Sequence, residues 1–236
     1  MSEEKEIKIR LRDNIPLNAV FERIEKLGFK KAEEKIQVDS YFDYENFYLS
    51  ENAQALRIRT ENGAEKCFEF KALFYLECKK YPWFVEEICI DFLIKDQQKL
   101  KEVFGLLGIE STSSNQPETP KELVELLAES KIMKMFDIKK HRTSFQKEGT
   151  TIEVDQVDGL GNFLEIESDL EPHELLHEFG FGELGSEVRF GYVSAFREKF
   201  YGIDYSSQKE KFEKQPDWNV LESEREFYKK LCEKNK

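Results

Sequence analysis

The chain has 236 residues, with 36 Lys and Arg against 48 Asp and Glu and a formal net charge of −12. That balance speaks against a general nucleic-acid or anionic-membrane binder, which would present a basic footprint, and no apolar run is long enough to span a bilayer. Aromatic residues make up 13% of the chain, 20 of them Phe, which favours a well-buried core in one large domain or two small ones over disorder.

Residues 4–12 predict a strand in which Glu4, Glu6, Lys8, Arg10 and Arg12 share one face and Ile7, Ile9 and Leu11 take the other. No apolar signal segment follows Met1, so the expected compartment is the cytoplasm. Pro16 to Phe29 predicts a helix closed by Gly28. Residues 36–43 read as a strand, and 54–60 with 66–72 as a hairpin turned at Glu61-Asn62-Gly63. A strand at 83–92, a helix at 96–107, a polar loop at 111–120 and a helix at 120–130 follow. Strands are expected at 136–146, 150–157 and 162–168, then a short helix from Pro172 to Phe179. Residues 204–236 read as a charged helical tail in which Trp218 serves packing. The sum is seven or eight strands, mostly in hairpin order: an antiparallel α+β chain with enough strands to close a barrel.

The same alternation recurs along the chain. Arg57 and Arg59 share a face, as do Glu69 and Lys71, Glu87 and Asp91, Lys140 and Arg142, Glu153 and Asp155, and Glu165 and Glu167. Two architectures fit. In one, an open sheet turns its charged faces to water. In the other, the sheet closes and the charges line its interior. Interior charge is costly unless it is paired or holds an ion. A polyanion with a divalent metal resolves that cost: Arg and Lys take phosphoryl oxygens, and carboxylates take Mg²⁺ or Mn²⁺.

His141 is out of phase with Lys140 and Arg142 and reads as an outer-face residue. His173 and His177 read as a solvated helix face, and Trp83 as a packing residue. Cys67, Cys78, Cys89 and Cys232 lack C-x-x-C spacing and nearby His, so they read as reduced thiols rather than a zinc site or disulfides.

Glu4-Lys5-Glu6-Ile7-Lys8 matches the E-x-E-x-K signature of the CYTH family, the triphosphate tunnel metalloenzymes. In the family's order follow Gln37 to Asp43, Ala55-Leu56-Arg57-Ile58-Arg59, Phe68-Glu69-Phe70-Lys71, Lys139 to Arg142, and Glu153-Val154-Asp155 through Gly159-Leu160-Gly161-Asn162-Phe163-Leu164-Glu165-Ile166-Glu167. The resemblance implies a closed eight-stranded antiparallel barrel with peripheral helices over residues 1–203, binding a small-molecule triphosphate or nucleotide with Mg²⁺ or Mn²⁺. It implies metal ligation by Glu4, Glu6, Glu165 and Glu167, with Asp155 added and Glu87 assigned by face parity alone. It implies phosphate contacts from Lys8, Arg57, Arg59, Lys71, Lys140, Arg142 and Arg189. Glu4, Glu6, Lys8, Arg57 and Asp155 would carry catalysis. Neither nucleic acid nor membrane is an expected partner, and monomer and homodimer both stay open.

This sequence departs from the family pattern in three places. Glu69 stands where many members have Thr, Gly191-Tyr192 replaces a frequent Ser-Tyr, and the Gly-Pro that often follows the basic strand is missing from 72–82. Three functions are compatible: hydrolysis of a triphosphate, conversion of ATP to cyclic AMP by a class IV adenylyl cyclase, and non-catalytic polyphosphate or nucleotide binding.

Overall fold

The computed structural model describes residues 5–52, 54–75, 83–91, 97–109, 117–188 and 191–202, with the side chains of 5, 72–75 and 83–87 outside the description. In chain order the elements are β1 (Lys5–Leu11), α1 (Leu17–Lys26), β2 (Lys30–Tyr44), α2 (Tyr48–Glu51), β3 (Gln54–Glu61), β4 (Ala64–Tyr75) and β5 (Trp83–Asp91). Then come α3 (Gln97–Leu106), α4 (Pro120–Glu129), β6 (Ile132–Lys147), β7 (Thr150–Val157), β8 (Gly161–Ser168), α5 (Pro172–Glu178), β9 (Gly185–Glu187) and α6 (Gly191–Tyr201). Among the described residues no helix is long and apolar enough to cross a membrane.

The strands form one antiparallel sheet of nine, in the order β5-β4-β3-β2-β6-β7-β8-β1-β9. The expected count of eight is therefore corrected to nine, and among the described residues the sheet is open, with β5 and β9 as its end strands. Alternation along a strand is the same in an open and a closed sheet, so it cannot report closure. The ninth strand, β9, has three residues, too few to show a period. The hairpin expected between β3 and β4 is present: Asn62 and Gly63 both take positive φ, as a two-residue type I′ turn requires.

The chain divides into two compact units, one holding the described residues of 1–39, 60–64 and 137–203, the other those of 40–59 and 65–136. In the first unit, Ile7, Ile9, Ile152, Val154, Leu164 and Ile166 form one face of β1, β7 and β8 and pack with Val20 and Ile24 of α1 and Leu175 of α5. The second unit has its own core, where Leu56, Phe68, Phe70 and Ile90 meet Val103 and Phe104 of α3 and Leu123 and Leu127 of α4. A capping box starts α4: Thr119 accepts from the Glu122 backbone N–H, and the Glu122 carboxylate accepts from the Thr119 N–H.

At the edge of the first unit, β9 lies against β1 with Gly185 opposite Leu11. A Cβ at Gly185 would stand 2.0 Å from the Arg10 carbonyl oxygen and 3.1 Å from the Leu11 Cα. Gly185→Ala is therefore expected to push β9 off β1 and to lower stability by about 1–3 kcal/mol, the range for forced overpacking. Urea denaturation checks this, and an unchanged midpoint would contradict the contact.

Candidate active site

The register of the first unit stacks its charges in rows. Lys8 of β1 is opposite Glu165 of β8, and Glu165 is opposite Glu153 of β7, which faces Ser144 of β6. One row away, Arg142 is opposite Asp155, which faces Phe163. One row to the other side, Glu6 is opposite Glu167. Directly paired residues and those two apart lie on the same side of a sheet, so all of these side chains share the face opposite the apolar core.

Much of that face is covered, although Glu6 is exposed and Glu167 half-buried. Asp155 and Lys140 are each 1% exposed, and Lys8, Arg142, Glu153 and Glu165 are also buried. These six charges are therefore not turned to water, although among the described residues the sheet is open. Part of the cover is α6, whose Tyr192 hydroxyl donates to Asp155 Oδ2 at 2.5 Å. Lys8 Nζ and Lys140 Nζ lie 4.7 and 4.8 Å from the centre of its ring, within cation–π range. Phe163 meets the same ring edge-on at 5.0 Å.

Arg142 is the hub of the ion pairs. Its Nε and Nη2 hold both oxygens of Asp155 at 2.7 and 2.6 Å, Nη2 reaches Glu165 at 3.1 Å, and Nη1 pairs with Glu153. Lys8 pairs with Glu165 at 3.2 Å and Glu6 at 3.3 Å, and Lys140 pairs with Asp155 at 3.4 Å. Five carboxylates (Glu6, Glu153, Asp155, Glu165, Glu167) thus share the face with four cations (Lys8, Arg10, Lys140, Arg142), so among these residues acid outnumbers base.

The environments push these groups in different directions. Burial disfavours the charged form of Lys8, but Glu165 and Glu6 outweigh it and raise its pKa, so it stays protonated. Burial likewise opposes ionisation of Asp155, and Lys140 and Arg142 overcome it, so its pKa falls. Glu153 goes up, because burial and the neighbouring Glu165 and Asp155 outweigh Arg142. Tyr192 is raised by burial and then by Asp155 and Glu165, which keeps its hydroxyl a donor.

Glu167 is pushed up to about 7, first by burial and then by Glu165, Glu153 and Glu6. Between its ordinary 4.5 and about 7 the folded chain therefore binds a proton that the unfolded chain has released. Stability contributed by that proton falls as pH rises through this window. In chelator-treated protein the thermal midpoint is expected to drop across that range, with a shallower drop in Glu167→Gln. Equal slopes would show that Glu167 does not carry the effect.

Carboxylate oxygens of Glu6, Glu165 and Glu167 lie within 4.8 Å of one another. Three hard oxygen donors in a region of net negative charge fit a divalent cation of the Mg²⁺ or Mn²⁺ type. Among the expected metal-side residues, these three come together, and Asp155 is occupied by Arg142, Lys140 and Tyr192.

In the second unit Arg57 ion-pairs with the buried Glu69 and donates to the Tyr41 hydroxyl at 3.2 Å. The carboxylate that departs from the family pattern is thus a counterion for an expected phosphate ligand. Arg59 and Lys71 are half-buried, and Lys71 is the register partner of Glu87. Glu4, Arg189, the Glu87 side chain and the tail from 204 lie outside the described residues. His141 is on the outer face as expected, 2.9 Å from Glu34, and His173 and His177 are exposed.

Glu153 and Tyr192 are absent from the expected site residues. Glu153 has the parity of Asp155, a signal that was there to use. Tyr192 arrives from a helix, beyond the reach of strand parity.

The CYTH domain family model matches residues 2–187. A protein of Methanocaldococcus jannaschii named putative adenylate cyclase is 31% identical over 172 residues, which cover 71% of this chain and 77% of that protein. Among solved structures, the PH1819 protein of Pyrococcus horikoshii OT3 superposes with a TM-score of 0.57 at 23% identity, over 83% of this chain and 99% of that one. A Vibrio parahaemolyticus protein titled putative adenylate cyclase gives 0.52 at 16% identity, over 82% and 97%. These two likenesses concern the fold. With a family match over residues 2–187 and a relative at 31% identity, the chain belongs to the CYTH domain family.

Proposed function

We propose that this protein binds a triphosphate together with a divalent cation and hydrolyses it, releasing orthophosphate. The observation that carries the reading is the approach of Glu6, Glu165 and Glu167 to within 4.8 Å beside the buried Lys8. Anion binding alone has little use for a carboxylate trio, whereas a metal-assisted phosphoryl site needs both signs of charge. The residues fit Mg²⁺ or Mn²⁺, which when bound supplies charge neutralisation at the phosphoryl oxygens.

The chain's own part is positioning. Lys8 and Lys140 offer N–H donors to phosphoryl oxygens, and Arg142 holds Asp155, Glu153 and Glu165 in place. A carboxylate of the Glu6, Glu165 and Glu167 group orients the attacking water. The family resemblance adds Arg57, Arg59 and Lys71 as further phosphate contacts.

One observation favours a second reading: the relative at 31% identity bears the name of a putative adenylate cyclase. The same charges would then hold ATP with the ribose 3′-hydroxyl attacking the α-phosphorus. Incubation of the full chain with tripolyphosphate, thiamine triphosphate and ATP under Mg²⁺ or Mn²⁺, with every product identified, separates the two. Orthophosphate supports hydrolysis, and cyclic AMP with pyrophosphate supports cyclisation. Binding without turnover in every arm would overturn both and leave a binding module.

A further inference from the structure

The second unit holds a donor set of a different chemical kind. Glu69 of β4 is the register partner of Cys89 of β5, and Cys67 that of Asp91. Cys67, Glu69, Cys89 and Asp91 therefore share one face of this strand pair. The Cys67 and Cys89 thiols share a hydrogen bond and neither is in a disulfide. Both sulfurs and a Glu69 carboxylate oxygen lie within 4.8 Å of one another. Cys67 and Glu69 are buried and Cys89 is exposed, so the group has a closed floor and a side open to solvent.

We propose that Cys67, Cys89 and Glu69 form a second cation site, chemically distinct from the oxygen-only group, that takes Zn²⁺. With zinc–sulfur bonds of about 2.3 Å and tetrahedral angles, two ligating sulfurs stand roughly 3.8 Å apart, a modest closure of what is already close. Two thiolates favour zinc over magnesium, just as the all-carboxylate group favours the harder ion. Two thiol protons leave to solvent as the two sulfur–zinc bonds form. Glu69 has two oxygens, so it can face Arg57 with one and the cation with the other. The fourth position is open to water or to Asp91.

The diagonal offset favours a bridging ion over a disulfide. Diagonal cross-strand neighbours are about 7–8 Å apart at Cα, whereas a disulfide wants Cα atoms about 4.4–6.8 Å apart. An intervening ion adds two bonds of reach.

The test uses the full chain, kept reduced and saturated with Mg²⁺ so that oxygen-only sites are filled, and titrated with Co²⁺ as a coloured stand-in for Zn²⁺. One equivalent is expected to develop a thiolate-to-cobalt charge-transfer band with the intense visible bands of a tetrahedral ion, and Zn²⁺ is expected to bleach both. Cys89→Ser, at an exposed position, should lower the affinity at least about tenfold and weaken the charge-transfer band. Glu69→Gln should keep the band at reduced affinity, about tenfold or more. The Cys78→Ser/Cys232→Ser double variant should behave as wild type. Absence of the band, its survival unchanged in Cys89→Ser, or its loss in the double variant would overturn the site. So would a mapped Cys67–Cys89 disulfide with no metal uptake after reduction.

Discussion

Arg142→Ala is expected to lower the stability of the chain by about 3–5 kcal/mol, the cost of breaking a buried ion network from one side. The guanidinium spreads its donors over Asp155, Glu153 and Glu165, all three of which are buried. Forming such a network gains little over apolar packing, because desolvating the charges offsets their attraction. Removing the shared cation is a different matter. It leaves three carboxylates on neighbouring strands with Lys8 and Lys140 as nearby cations and the hydroxyls of Tyr192 and Ser144 as donors beside them. Repulsion among them in a poorly solvated site is then only partly offset. Urea denaturation measures the loss. Adding Glu153→Gln to Arg142→Ala should recover part of it, since Glu153 is the carboxylate whose pKa already lies above its ordinary value. A loss below about 1 kcal/mol, the level of a surface pair, would mean that Arg142 is not the hub.

The parts of the site that were legible in the sequence are those that depend on a single strand. Glu6 and Lys8 share a face because they stand two positions apart, and the same holds for Lys140 with Arg142 and Glu165 with Glu167. Parity also put His141 on the other face, and it lies there beside Glu34. What parity cannot supply is which strands are neighbours. Lys8 meets Glu165 only because β1 pairs with β8 in that register, across more than 150 residues of chain. Glu153 sat on the correct face but outside the residues to which the resemblance assigned a role, and the β7–β8 register places it opposite Glu165. Tyr192 belongs to α6, and its approach to Asp155 is set by tertiary packing rather than by any local pattern. Closure was illegible for a related reason: edge pairing is a property of the whole sheet, while alternation is a property of each strand.

Glu165→Gln is expected to weaken Mg²⁺ or Mn²⁺ binding by about tenfold to a hundredfold and to lower metal-dependent turnover by about two orders of magnitude or more. Glu165 is the one member of the carboxylate trio that both basic anchors touch, at 3.2 Å from Lys8 and 3.1 Å from Arg142. Replacing it with the amide keeps its size and removes one negative charge from this face. It also withdraws one cause of the raised pKa of Glu167, so that group should titrate closer to its ordinary 4.5. The pH dependence of stability should then flatten, much as in Glu167→Gln. The fold should tolerate the change better than Arg142→Ala, because a neutral amide beside Lys8 leaves no uncompensated carboxylate. Manganese binding followed by electron paramagnetic resonance, alongside phosphate release from the substrate found in the product panel, separates the two effects. Wild-type manganese affinity in Glu165→Gln would move the cation away from this trio, even if turnover were lost. Unchanged turnover with weakened binding would instead make the metal at Glu165 structural, and the chemistry would then have to be sought elsewhere on the charged face.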